Sequence, residues 1–217
     1  MLAEIRSGFT TLADGTVAPS RASRVGALVT GDGQGRYYEQ ASRGNIFSLV
    51  LGATTTNISA GNLNAAAAAA STQFALWNPA GSGKNISLLK FSVQVISGTF
   101  GAGGLFHSFS ATAPTISTSV VTPIQCNNIG MAAASVARAL THVSGAALTG
   151  SSALAFIRAA DLMFNAAAFA NAAGAKAVEY IDGDIVIPPG TCWVPTWTAQ
   201  GTALLNSYSI TWEEIPI

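Results

Sequence analysis

The side chains in this 217-residue chain that are suited to chemistry are few and scattered. Its two histidines, His107 and His142, show no His-Glu-x-x-His spacing, which would set two imidazoles on one helical face around zinc. No Gly-x-Ser-x-Gly turn presents a nucleophilic serine. Lys84, in Gly81-Ser-Gly-Lys-Asn85, resembles the end of a phosphate-binding loop. A Walker A loop also needs an earlier glycine and a hydroxyl for magnesium. Here Asn78 and Asn85 hold those places and Pro79 intervenes, so a hairpin turn is the expected structure. Gly31-Asp-Gly-Gln-Gly35 has no strand and helix around it and is not a dinucleotide fingerprint. Asp182-Gly-Asp184 offers two carboxylates, but the further ligands of a calcium loop are missing. A tight turn before Ile185-Val-Ile187 is expected there. Glu213 and Glu214 are neighbours on a predicted strand and therefore face opposite sides, wrong for an acid pair. The expectation is a protein that is not an enzyme, with no cofactor and no metal.

Cys126 and Cys192 are too few for a zinc site or a disulfide framework, and a pair of buried thiols is expected rather than one bridge. The four tryptophans, Trp77, Trp193, Trp197 and Trp212, lie on or beside predicted strands. Core packing is the expected use of such rings in a β-sandwich. An exposed Trp193 and Trp197 would instead make a sugar-binding platform.

These residues sit on elements that read as strands. Ile86 to Ile96 alternates, with Leu89, Phe91, Val93 and Val95 on one face and Lys90, Ser92 and Gln94 on the other. Tyr208, Ile210 and Trp212 alternate with Ser207, Ser209, Thr211 and Glu213. One apolar face at period two means half-buried antiparallel strands. Ile46–Leu51, Thr72–Trp77, Leu105–Ser110, Ile185–Ile187 and Cys192–Thr198 are further strand candidates, separated by Gly-, Pro- and Asn-rich turns such as Pro188-Pro-Gly190. Residues 64 to 71, with six alanines, predict a helical turn or a loop. Ala153 to Ala177 fits a helix with Arg158, Asp161 and Asn165 on one face. It also fits two strands, Ala153–Asp161 and Lys176–Ile181, which the neighbouring strands favour. The fold class expected is all-β: an antiparallel β-sandwich, jelly-roll-like, with an N-terminal arm.

Composition points to assembly. Charged residues are 9% of the chain, against about 25% in an average soluble domain. Ten Lys/Arg balance ten Asp/Glu. That balance argues against an electrostatic nucleic-acid binder and a polybasic membrane patch. The positive mean hydropathy comes largely from roughly 40 alanines, and no window is apolar for the ~20 residues of a spanning helix. The first residues, Met1-Leu-Ala-Glu-Ile-Arg6, do not read as a signal peptide. A protein with so little charge is expected to have much of its surface covered by copies of itself or by partners.

The charges it has are concentrated. Glu4, Arg6, Asp14, Arg21, Arg24, Asp32, Arg36, Glu39 and Arg43 all fall in the first fifth of the chain. Residues 1–44 are read as an arm or edge segment and 45–217 as the β-sandwich domain. Arg21, Arg24, Arg36, Tyr37, Tyr38 and Arg43 are the candidate partner-binding residues, since Arg and Tyr combine contact area with directional hydrogen bonds.

Three stretches carry a resemblance. The hairpin from Phe74 through Asn78-Pro-Ala-Gly-Ser-Gly-Lys-Asn85 runs into a strand ending at Val95-Ile-Ser-Gly98. Ile181-Asp-Gly-Asp-Ile-Val-Ile-Pro-Pro-Gly-Thr-Cys-Trp193 follows much later. The chain ends Ser209-Ile-Thr-Trp-Glu-Glu-Ile-Pro-Ile217. Over residues 70 to 217 the pattern resembles β-sandwich virion proteins of tailed bacteriophages, in particular capsid decoration (cement) proteins. The resemblance implies a homotrimer on the capsid surface, made in the host cytoplasm. It would bind the major capsid protein and bridge neighbouring shell subunits, with no nucleic acid or membrane as partner. Two other readings are a tail fibre or receptor-binding head that recognises a host glycan, and, more remotely, a hydrolase of envelope sugars.

Overall fold

A computed structural model describes residues 36–51, 74–97, 103–111, 119–121, 124–132, 134–142, 155–164, 176–198 and 205–217. The alanine run 64–71 lies outside these residues. Gln40 onward forms one compact unit. Among the described residues there is one short helix, α1 (Tyr38–Ser42), and eleven strands. These are β1 (Ile46–Leu51), β2 (Phe74–Asn78), β3 (Lys84–Ser97), β4 (Gly103–Ser110), β5 (Ser119–Val121) and β6 (Gln125–Cys126). They continue with β7 (Arg138–His142), β8 (Ala155–Phe164), β9 (Lys176–Ile187), β10 (Thr191–Thr198) and β11 (Leu205–Pro216).

The strands make two antiparallel sheets, β6-β1-β11-β3-β9 and β5-β7-β2-β10-β4-β8. Eight of them form one long rolled hairpin. β1 pairs with β11, β2 with β10, β3 with β9 and β4 with β8. Rolling adds the β11–β3 and β10–β4 pairings. That order is a jelly roll, two four-stranded sheets face to face. The expected antiparallel β-sandwich is therefore the observed one. β5, β6 and β7 are inserted between β4 and β8 and extend both sheets at the β1/β2 edge.

The core follows from alternation. Phe47, Leu49, Leu76, Leu105, Trp193, Tyr208, Ile210 and Trp212 point between the sheets and are buried. Phe91 is the centre of a ring cluster, stacked on Tyr208 at 5.8 Å and edge-on to Trp193 at 5.3 Å. Strand β3 changes phase once. Opposite Leu89 the edge strand β9 bulges out the four residues Ile181 to Asp184, so Ile86 and Leu88 before it and Phe91 and Val93 after it all face the core. The expected tight turn at Asp182-Gly-Asp184 is thus corrected to a bulge inside β9. Asp182 (φ 53°) and Gly183 (φ 91°) take left-handed backbone there. The stretch 153–177 contains the two strands that the neighbouring strands favoured, with β8 running to Phe164 and β9 from Lys176.

Two buried polar residues lock the ends. Asn78 donates through Nδ2 to the carbonyls of Lys84 and Ile187, each at 2.8 Å, while its backbone carbonyl accepts from Gly190 N at 2.8 Å. This closes the Pro188-Pro-Gly190 turn against the β2–β3 hairpin. The Glu214 carboxylate is fully buried and pairs with Lys84 Nζ at 3.0 Å. Its other oxygen accepts from Ser135 Oγ at 2.6 Å and Val136 N at 2.9 Å, fixing the insertion where it crosses between sheets. Glu213 faces the other way and is half-buried.

Removing a buried carboxylate leaves its partners unpaired, which costs about 3 kcal/mol or more. Glu214→Ala is expected to lower Tm by roughly 6–12 °C for a domain of this size, with Glu214→Gln intermediate. Thermal unfolding followed by circular dichroism checks this, and an unchanged Tm would contradict the latch.

Candidate functional site

Among the described residues, a continuous line of polar contacts lies at the edge where β8 and β9 come together. β4 and β10 place His107 and Trp193 side by side on the inner face, both fully buried. The Trp193 indole N–H donates to His107 Nδ1 at 3.1 Å. An indole nitrogen can only donate, so Nδ1 accepts and Nε2 carries the ring proton. Nε2 then donates to Glu179 Oε2, 2.8 Å away on the facing sheet. Glu179 Oε1 accepts from Arg158 at 3.0 Å, and Arg158 also bonds Asp184. The line Trp193–His107–Glu179–Arg158–Asp184 runs from the core centre to the solvent rim and ties the two sheets together.

His107 with Glu179 has the form of a base and its orienting acid. An indole stands where a nucleophile's hydroxyl would be, and both ring nitrogens are engaged. This histidine is a clasp between sheets. Sequence reading had no way to assign it, because its partner lies 72 residues away on another sheet.

Next to the clasp an apolar cleft of about 230 Å³ opens at the same edge. Ile185, Val186, Ile187 and Pro188 of the β9–β10 corner form one wall; Phe109, Ile157 and Trp193 face them. Cys192 also lines it, and burial pushes its thiol up to about 11. Cys126 and Cys192 are both free, as expected, though only Cys192 is fully buried. Among the described residues no group of three or more His, Cys, Asp or Glu is placed to hold a metal.

The outer face of the five-stranded sheet carries rows of hydroxyl residues. Across four strands run the rows Ser48–Thr211–Lys90–Tyr180 and Val50–Ser209–Ser92–Val178. Ser48 and Thr211 share a hydroxyl hydrogen bond of 3.0 Å. The Lys90 ammonium sits over the Tyr180 ring, 5.3 Å from its centre. The face is hydroxylated, with Lys90, Lys176 and Glu213 as its charges and Val50 and Tyr180 as exposed apolar groups.

Of the candidate partner-binding residues, Arg21 and Arg24 lie outside the described residues. Arg36 stacks over the Tyr37 ring at 5.3 Å. Tyr38 opens α1 and is exposed; Arg43, also exposed, follows its end. Of the tryptophans, Trp193 and Trp212 are fully buried and Trp77 is half-buried. The side chains of Trp197 and His142 lie outside the described residues. No family model, curated protein or solved structure matches the chain.

Two outcomes follow. His107→Ala strips Trp193 and Glu179 of partners and is expected to cost about 3 kcal/mol. Hydrogen exchange should quicken in β8 and β9 before the other strands, and uniform exchange across both sheets would contradict the clasp. At pH 8 a thiol held near 11 stays protonated and unreactive. Iodoacetamide is expected to spare Cys192 until the protein is unfolded, as peptide mapping would show.

Proposed function

We propose that the protein is a virion structural protein that decorates a bacteriophage capsid and stabilises it by bridging neighbouring shell subunits. The observation that carries this reading is the jelly-roll strand order, a fold in recurrent use for viral capsid proteins. The order alone is an analogy at the level of fold. The serine and threonine rows of the outer sheet add to it, since a hydroxyl-rich surface suits contact with copies or partners in a lattice. So does the clustering of charge in the first 43 residues, ahead of the sandwich.

In this reading the arm is the anchor and the sandwich the outward body. Arg36, Tyr37, Tyr38 and Arg43, with Arg21 and Arg24, bind the major capsid protein. Each contact is modest, and a trimer holding three arms multiplies them into tight attachment by raising effective concentration. A glycan-recognising head would instead display its tryptophan rings, and Trp193, one of the two that a platform would need, is buried among Phe91 and His107.

The test is co-sedimentation with purified shells. Gln40 to Asn45 bond to the domain, where Asn128 Nδ2 donates to the Ser42 carbonyl at 3.0 Å and Glu214 N to the Asn45 carbonyl at 2.9 Å. A deletion of residues 1–39 therefore leaves the sandwich intact. It is expected to abolish sedimentation with shells, and Tyr38→Ala with Arg43→Ala to weaken it tenfold or more. Full binding by the truncated protein would overturn the anchor.

A further inference from the structure

The outer face of the six-stranded sheet is buried, although it points away from the core. Side chains alternate along a strand, so the neighbours of an inward residue point outward. Trp193 and Leu76 point between the sheets. Cys192 and Val194 flank Trp193, and Ala75 precedes Leu76, so these three stand on the outside. Yet Ala75 is 0%, Cys192 1% and Val194 2% exposed. They form an apolar cluster of their own, and Trp77, which packs against it, comes from the same face. On the five-stranded sheet, outward Val50 is 54% and Tyr180 67% exposed. A layer therefore lies over Ala75, Cys192 and Val194. They are buried within a single chain, so the layer is part of that chain.

Topology names the part. β4 ends at Ser110 next to β8, and the chain re-enters the same sheet at Ser119, which opens β5 at the far edge. Between them lie β10, β2 and β7. Ser110 is level with Cys192, Trp77 and Arg138, while Ser119 is level with His142, four residues further along β7. Four strand spacings of about 4.8 Å and four residues of about 3.4 Å put the two ends roughly 23 Å apart. The steps from Ser110 to Ser119 reach about 32 Å when fully extended. A route around the rim, along the strand ends and down β5, takes roughly 33 Å. The space between the sheets is filled by the core. The direct path over the outer face remains. It crosses β10 and β2 where Val194 and Ala75 stand side by side, one residue past the Trp193–Leu76 pair. The link from His142 to Ala155 is longer, with reach enough to round the rim, and carries no such constraint.

We infer that residues 112–118, which lie outside the described residues, are the strap that covers this face. Thr112-Ala-Pro-Thr-Ile-Ser-Thr118 suits the role, with no charge, one proline and one large aliphatic side chain. Proline has no N–H to leave unpaired. In an extended strap Pro114 and Ile116 fall on one side, against Val194 and Ala75. The contact closes this face to outside partners and leaves the outer face of the five-stranded sheet as the open one. It is made within one chain and does not rest on the capsid reading.

Disulfide trapping tests it in the full-length chain carrying Cys126→Ser and Cys192→Ala. Ala75→Cys is combined in turn with Pro114→Cys, Ile116→Cys and Leu148→Cys. A bridge needs Cα atoms within about 7 Å of each other. Oxidation under native conditions, followed by peptide mapping, is expected to join position 75 to 114 or 116. No bridge from either, or a bridge to 148 in their place, would overturn the inference. A second arm keeps Cys192 and adds Ile116→Asp to Cys126→Ser. A carboxylate pressed on an apolar face lifts the strap, so iodoacetamide is expected to label Cys192 about tenfold faster or more in the folded protein. A rate equal to that of the Cys126→Ser parent, with the circular dichroism unchanged, would also overturn it. Trapping puts no charge in the strap, so it decides the matter even where Ile116→Asp unfolds the chain.

Discussion

A hydrogen bond from an indole to an imidazole sits at the middle of this fold. Trp193 donates to His107, and that one bond decides which ring nitrogen faces the opposite sheet. Once Nε2 carries the proton, Glu179 has a donor reaching across the core, and Arg158 and Asp184 complete the line to the surface. A buried histidine and a nearly buried carboxylate are costly alone and stable only when each has a partner. The two sheets must therefore close in one register at this edge. The bulges in β8 and β9 are consistent with that demand. They turn the edge strands so that Arg158 and Glu179 meet, and they deny a flat edge to stray strands.

Much of the fold was legible because alternation is a local signal. β1 occupies the six residues whose pattern announced it, and the Pro188-Pro-Gly190 turn lies where its composition put it. The bulge at 181–184 was misread because glycine between two aspartates is also what a turn looks like. Only the partner strand β3, nearly a hundred residues earlier, shows that pairing resumes beyond it. The inserted strands β5, β6 and β7 went unread since two to five residues carry no period. Lys84 was weighed as a phosphate ligand and then as a turn residue. Its partner Glu214 lies 130 residues on, a distance at which sequence spacing says nothing.

The same low charge that made the chain hard to read for chemistry is informative about surfaces. Every described carboxylate of the sandwich interior has a cation or several donors: Glu214 with Lys84 and the 135–137 backbone, Glu179 with His107 and Arg158. On the outer sheet Lys90, Lys176 and Glu213 stand among serine and threonine rows. Such a face gives little electrostatic steering and few long-range attractions. It suits a protein held by many shaped contacts at once, as a capsid-decorating reading requires.

The most direct measurement is cryo-electron microscopy of particles bearing this protein. The account predicts trimeric jelly rolls ordered over the shell lattice, with the residues before Gln40 against the major capsid protein and the sandwiches outward. Density confined to a tail or fibre tip, with no ordered copies on the shell, would contradict it.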